Sequence, residues 1–414
     1  LLYHAYELQR AWLTGASAWA SIGAEMLANP RNPLAYNGMG PIAASALEVF
    51  AHATQPRGKP AFGIERVTVG GTAHRVTEAI AYNKPFGDLR RFTRDGLPAD
   101  APRVLIVAPM SGHYATLLRG TVARMVENAD VYITDWADAK MVPLSEGRFD
   151  LDDYIDYLIE FLEFIGPGAH VIAVCQPSVP ALAATAVMNA ARHPARPATL
   201  TMMGGPIDTR CSPTSVNDLA MDRPIAWFRQ NVIATVPMQY PGGGRRVYPG
   251  FLQLAGFMSM NLGNHMLSHY EMFKHLTVGD EASAEATKAF YDEYRSVCDM
   301  SAEFYLQTVE EVFQKHSLPG GTFVHRGAPV DLGAITDTAI LAVEGERDDI
   351  SGIGQTRAAL DLATGLAKAK KQYLLAEGAG HYGIFNGRRW RDSIAPVVEQ
   401  FIARHAARTL RAAA

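Results

Sequence analysis

The 414-residue sequence predicts an α/β protein with a mostly parallel central sheet, helices on both faces, a mainly helical insertion and an N-terminal helical segment. Three observations predict it. Short apolar, largely β-branched runs at 104–108, 131–134, 170–174 and 199–203 alternate with helix-compatible stretches. The alternation stops after Gly205-Pro206, and residues 209–335 are rich in Met, Phe, Tyr and His. It resumes at 339–343 and 372–375.

Each element has its own signal. Residues 1–53 read as helical, interrupted at Asn29-Pro30-Arg31-Asn32-Pro33. Residues 1–27 carry Leu, Tyr, Trp and Met at helical spacing, which suits a helix packed on the body or a surface for a hydrophobic partner. Gln55-Pro56-Arg57-Gly58-Lys59-Pro60 is a linker. Runs at 66–69 and 75–80 flank Gly70-Gly71, a hairpin signal, and 88–93 suits a further strand. A helix over 151–165 carries apolar residues at 151, 155, 158, 159, 162 and 165. Another runs from Ser178 to about 192, and one over 391–408 closes the chain. The expected divisions are 1–62 (helical segment and linker), 63–208 (core, first part), 209–335 (lid insertion) and 336–414 (core, second part).

Hydrophobic residues make up 48% and charged residues 19%, with no long apolar run, which argues against disorder and against a membrane span. Net charge is −4 and no basic patch stands out, so nucleic acid is not an expected partner. Cys175, Cys211 and Cys298 are too few and scattered for a disulfide framework, which suits a reducing, cytoplasmic compartment. Glu7 and Arg10 interrupt any signal-peptide pattern. His265 and His269 have the spacing of a metal pair but lack a glutamate after the first histidine. The glycine run 241–246 lacks the lysine and hydroxyl residue of a phosphate loop. No metal and no cofactor is expected.

The chemistry gathers at strand ends, where doubly wound sheets place their sites. In Ala173-Val174-Cys175-Gln176-Pro177-Ser178 a strand turns at once into a helix, and one cysteine stands at the corner. Such a corner lifts one side chain above the sheet, beside the positive end of a helix dipole, where a thiolate is favoured. Serine hydrolases hold their nucleophile there in G-x-S-x-G. After the strand at 339–343 comes Asp348, and after that at 372–375 comes His381. Cys175, Asp348 and His381 thus stand in the nucleophile–acid–histidine order of α/β-hydrolases, with separations of 173 and 33 residues. Cys175 would attack an acyl carbon, His381 would carry the proton and Asp348 would hold the imidazole. The backbone N–H of Gln176 would be one oxyanion donor; Ser111, or else Met110, in Pro109-Met110-Ser111-Gly112-His113 would supply the second. Asp349 is the rival acid and Ser178 the rival nucleophile. Phe251, Phe257, Met258, Met260, Met266, Tyr270, Met272 and Phe273 are expected to divide between the core of the insertion and an apolar substrate groove.

The elbow, with Gly-Glu-Arg-Asp348-Asp-Ile and Gly-Ala-Gly-His381-Tyr-Gly, resembles the intracellular poly(3-hydroxybutyrate) depolymerases. The resemblance extends to Tyr3-His4-Ala5-Tyr6-Glu7 and to the 108–113 loop. It implies an α/β-hydrolase fold with a cysteine nucleophile and Cys175, Asp348 and His381 as the triad. It also implies hydrolysis of a polyester stored as cytoplasmic granules. The expected partner is the polymer or granule surface; monomer and homodimer both stay open. Three alternatives also stay open: a polyhydroxyalkanoate synthase-like acyltransferase, an acyl-CoA thioesterase and a non-catalytic granule-binding protein.

Overall fold

The computed structural model describes residues 2–29, 31–36, 39–260, 270–276, 287–288 and 291–412. Its centre is a nine-stranded sheet of β1 (Arg66–Val69), β2 (Thr72–Tyr82), β3 (Gly87–Arg94), β4 (Arg103–Val107), β5 (Asp130–Trp136), β6 (His170–Val174), β7 (Thr199–Met203), β8 (Ala339–Gly345) and β9 (Lys371–Ala376). The spatial order is β1-β2-β3-β5-β4-β6-β7-β8-β9. The β1, β2 and β3 edge pairs antiparallel, and every pairing from β5 through β9 is parallel. Gly70 and Gly71 both have positive φ (56° and 81°) at the β1–β2 turn, the backbone a two-residue hairpin of this twist demands.

Sequence and burial agree in the middle of this sheet. Every residue of β5, β6, β7 and β8 is buried, as the uninterrupted apolar runs require for strands covered on both faces. Helices cover the faces. One is Leu151–Ile165, whose start is fixed by a capping box between Asp150 and Asp153. Another is Ser178–Ala190, packed along its whole length. The closing helix starts earlier than expected: Gly387–Arg389 runs through a wide turn at Trp390–Ile394 into Ala395–Ala412.

Among the described residues, the segment between β7 and β8 adds no strand to the main sheet. It is less purely helical than expected. Ala234–Thr235, Arg246–Tyr248 and Met300–Ser301 form a small antiparallel sheet, and Val324–His325 pairs with Ala328–Pro329. Strands of two or three residues are too short to show a period of two, so the sequence pattern does not reveal them.

The N-terminal segment is a pair of helices, α1 (Leu2–Ala28) and α2 (Met39–Thr54). They meet through small residues: Ser17, Ala20 and Ala24 on α1, Gly40, Ala44, Ser45 and Ala51 on α2. A Cβ on Gly23 would stand 3.0 Å from Leu47 Cδ1. Tyr3 ties α1 to the body, its hydroxyl donating to Asp299 Oδ2 at 2.5 Å. With small residues at the seam, Leu8, Trp12, Trp19 and Met26 lie outward and exposed. Among the described residues no helix is long and apolar enough to cross a membrane.

Candidate active site

The elbow is built by backbone strain held in a rigid setting. Cys175 has φ of +64°, a left-handed conformation costing a non-glycine residue roughly 1–3 kcal/mol. It is over-determined from both sides. The Cys175 N–H donates to Met203 O of β7 at 2.7 Å, and the Ser178 N–H donates back to Cys175 O at 3.0 Å, opening the next helix. Cys175 is thereby lifted out of the sheet and left half-buried, while Ser178 is fully buried. Ser178 Oγ lies under Gly205, where an added Cβ would come within 2.1 Å of it. Of the elbow's two nucleophile candidates, the structure turns Cys175 to the cavity and packs Ser178 away from it.

Asp348 and His381 come to the same point from the loops after β8 and β9. His381 Nδ1 lies 2.7 Å from Asp348 Oδ2. Asp348 Oδ1 accepts from the backbone N–H groups of Ile350 (2.9 Å) and Ser351 (2.8 Å), so the carboxylate cannot swing. It is therefore Asp348, rather than Asp349, that faces the ring. The Cys175 sulfur lies close enough to the imidazole to act on its charge. Burial disfavours the imidazolium, but the Cys175 sulfur and the Asp348 carboxylate outweigh it and raise the His381 pKa to about 10. A sulfur and a carboxylate on opposite sides of one buried imidazole make a proton relay aimed at the thiol.

The loop after β4 closes the site. The Met110 N–H donates to Gln176 Oε1 at 3.2 Å, tying this loop to the elbow. That bond engages the second-choice oxyanion donor. Ser111 and Gln176 both line the cavity beside Cys175, and neither backbone N–H donates to another described residue. His113 is buried, its Nε2 is 3.0 Å from Tyr294 O, and burial pushes its pKa down. These contacts anchor the loop, and His113 also lines the cavity above Cys175. Of the other thiols, Cys298 is buried against His113 O at 3.6 Å, and burial pushes it up. Cys211 is half-buried, outside this cavity.

A cavity of about 390 Å³ opens over Cys175 and His381. Its wall is chiefly apolar, from Leu117, Val216, Phe228, Tyr305, Phe313 and Phe385. Of the residues singled out at 251–273 for a groove, the described side chains of Phe251, Met258, Tyr270, Met272 and Phe273 do not line it; the side chains of Phe257 and Met260 lie outside the described residues. Phe251 and Met258 lie instead on the α1 side, where Phe251 stacks on Tyr6 with ring centroids 3.8 Å apart. The helix Gly250–Met260 separates the two spaces, with Phe251, Leu254 and Met258 on the α1 side and Gln253 and Gly256 on the cavity side. Met266, His265 and His269 lie outside the described residues.

Two features gave little sequence signal. Gly204 and Gly205 let the end of β7 pass beneath the site: a Cβ on Gly204 would stand 3.1 Å from His381 Cε1 and 3.2 Å from Asp348 Oδ2. Glu344, fully buried on β8, accepts from the N–H groups of Gly354 (2.9 Å), Thr356 (2.8 Å) and Arg357 (2.8 Å) and from Tyr373 Oη–H (2.8 Å). It closes the loop that carries Asp348.

A family model described as PHB de-polymerase C-terminus matches residues 204–406. No curated protein sequence matches the chain. Solved structures similar to it include a monoacylglycerol lipase from Paleococcus ferrophilus (12% identity, 80% of this chain and 99% of that one, TM-score 0.45). A Bacillus subtilis carboxylesterase is also similar (12%, 79% and 90%, 0.40). So is a Rhodococcus 2-hydroxy-6-oxo-6-phenylhexa-2,4-dienoate hydrolase (11%, 80% and 99%, 0.43).

Proposed function

Because residues 204–406 carry the C-terminal region of the PHB depolymerase family, we propose that this chain hydrolyses the ester bonds of poly(3-hydroxybutyrate) through a Cys175–His381–Asp348 triad. The observation that carries the reading is one buried imidazole held between the Asp348 carboxylate and the Cys175 sulfur, at the floor of an apolar cavity.

The geometry sets the order of steps. Cys175 passes its thiol proton to His381, the resulting thiolate attacks the ester carbonyl carbon, and the negative charge moves to the carbonyl oxygen. The backbone N–H groups of Gln176 and Ser111 receive that oxygen. The carbon–oxygen bond to the leaving alcohol breaks, and His381 gives that alcohol its proton. An acyl-thioester remains on Cys175. Water then enters; His381 takes one of its protons and the hydroxide attacks the thioester. The carbon–sulfur bond breaks, returning the thiolate and releasing the acid. Asp348 keeps the ring in one tautomer and supports its charge in both halves.

A polyester chain is long, apolar and uncharged, which suits the cavity wall. In this reading 63–208 and 336–414 form the catalytic core, 209–335 covers the cavity, and the outward face of α1 docks on the storage granule. The compartment is then the cytoplasm, beside the granules. The test is 3-hydroxybutyrate release from amorphous poly(3-hydroxybutyrate) granules by wild type and Cys175→Ala. Release by wild type that is lost in the variant is expected; no release by wild type would overturn the substrate.

A further inference from the structure

The catalytic cavity contains a phenol hydroxyl that neither the triad nor the surrounding fold uses. Tyr382, the residue after His381, is half-buried and forms part of the cavity wall over Cys175. Its Oη makes no hydrogen bond to a described residue, and it is not enclosed as the unpaired hydroxyls of Thr201 and Thr308 are. Tyr114, Tyr154 and Tyr373 by contrast donate theirs, to Asp138 Oδ2 (3.1 Å), Ala108 O (3.3 Å) and Glu344 Oε2 (2.8 Å). An accessible phenol that the fold leaves free is a donor for whatever enters.

The ring is held in place. It is carried by the short turn His381–Ile384, and Tyr382 O accepts from the Asn386 N–H at 3.0 Å. The ring packs edge-on to Phe385 and Tyr294, with centroids 5.7 and 6.3 Å apart. Burial raises the Tyr382 pKa most, and Tyr294, the Cys175 sulfur and Asp349 raise it further. The phenol therefore keeps its proton at neutral pH, as a donor must. The influence of the sulfur also puts hydroxyl and thiol in one shared space. The oxyanion donors come from the elbow and from the loop after β4. Tyr382 instead shares a turn with His381, on the side where the leaving alcohol takes its proton.

We propose that Tyr382 is a further catalytic residue, whose hydroxyl donates a hydrogen bond to the alcohol oxygen of the scissile ester. This rests on the ester-hydrolase reading of the site. As the carbon–oxygen bond breaks, its electron pair goes to that oxygen, and His381 supplies the proton that neutralises it. Tyr382 lends a hydrogen bond and keeps its own proton, so the balance of the step is unchanged. A donor aimed at charge that develops only in the transition state raises the rate rather than the affinity. It matters most for an alkyl alcohol, whose alkoxide is a strong base, and least for a nitrophenolate, which leaves without help.

The experiment measures kcat/KM of wild type and Tyr382→Phe on the ethyl and p-nitrophenyl esters of 3-hydroxybutyrate, which share one acyl group. The variant is expected to lose about tenfold on the ethyl ester, the scale of one hydrogen bond, and less than about twofold on the p-nitrophenyl ester. Its melting temperature should match wild type, because the oxygen removed bonds to no described residue. Equal losses on both esters, the mark of a displaced His381, overturn the inference, as does no loss on either. Wild type that cleaves the p-nitrophenyl ester alone gives no help to an alkyl leaving group and overturns it too. Ester hydrolysis stands in all three cases. Cleavage of neither ester by wild type overturns the hydrolase reading, and this inference with it.

Discussion

The central sheet and the N-terminal helical pair are both rich in apolar side chains and use them in opposite ways. In β5 to β8 every residue is buried, and large branched side chains are enclosed by protein on both faces. In α1 only small residues such as Ser17, Ala20 and Ala24 are inside, beside the anchoring Tyr3, while Trp12 and Trp19 are 71% and 76% exposed. Close packing of large side chains fixes backbone position, so the loops leaving β6, β8 and β9 can meet at one imidazole. A seam of alanines fixes two helices to each other and leaves their large side chains for something else. One region is built for geometry, the other for contact.

The geometric half of this comparison is tested most severely at its corner. Cys175→Ala should lower kcat on polymer and on soluble esters by about a millionfold with the fold intact, the scale seen when a triad nucleophile is removed. Asp348→Asn should cost about ten-thousandfold, because the ring loses its tautomer control, while Asp349→Asn stays within about threefold. Steady-state kinetics on a p-nitrophenyl ester checks both; equal losses at 348 and 349 would break the assignment. Gly205→Ala drives a Cβ into Ser178 and should destabilise the fold by about 1–3 kcal/mol, read by urea unfolding.

The contact half makes a different demand. Trp12→Ser with Trp19→Ser should reduce co-sedimentation with granules by about tenfold, on the scale of two exposed aromatic side chains, and should leave hydrolysis of a soluble ester in place. Unchanged sedimentation would mean that the outward face of α1 serves another partner.

The smallest effect sharpens the site's electrostatics. The His381 pKa is raised from 6.5 to about 10, so the folded state binds that proton more tightly than the unfolded chain does. The resulting stability is fully present below pH 6.5 and is lost as pH rises through about 10. Burial works against this shift, and the Cys175 sulfur is the strongest of the groups that produce it. Melting temperature measured from pH 6 to 10 should fall in wild type and flatten in Cys175→Ala. Parallel curves would show that the sulfur does not support the charged ring.

The same contrast explains what the sequence could tell. Buried parallel strands need unbroken β-branched runs, so β4 to β8 were legible. Cys175, Asp348 and His381 were legible with them, because each stands within a few residues of the end of such a run. The cavity wall was not. Phe228, Tyr305 and Phe313 come from separate short elements, and no local period marks side chains that meet only in space. The Met- and aromatic-rich stretch at 251–273 drew attention by composition, but Phe251 and Met258 turn towards α1, Met272 is buried and Tyr270 is exposed. Glu344 and Gly204 were silent for a related reason: one buried carboxylate and one glycine take their meaning from loops distant in sequence.

The claim that Cys175 is the nucleophile is tested most directly by quenching the enzyme during turnover of a 3-hydroxybutyryl ester and locating the acyl group by peptide mass spectrometry. The account predicts the acyl group on Cys175. An acyl group on Ser178, or continued turnover by Cys175→Ala with no acyl-enzyme, would contradict it.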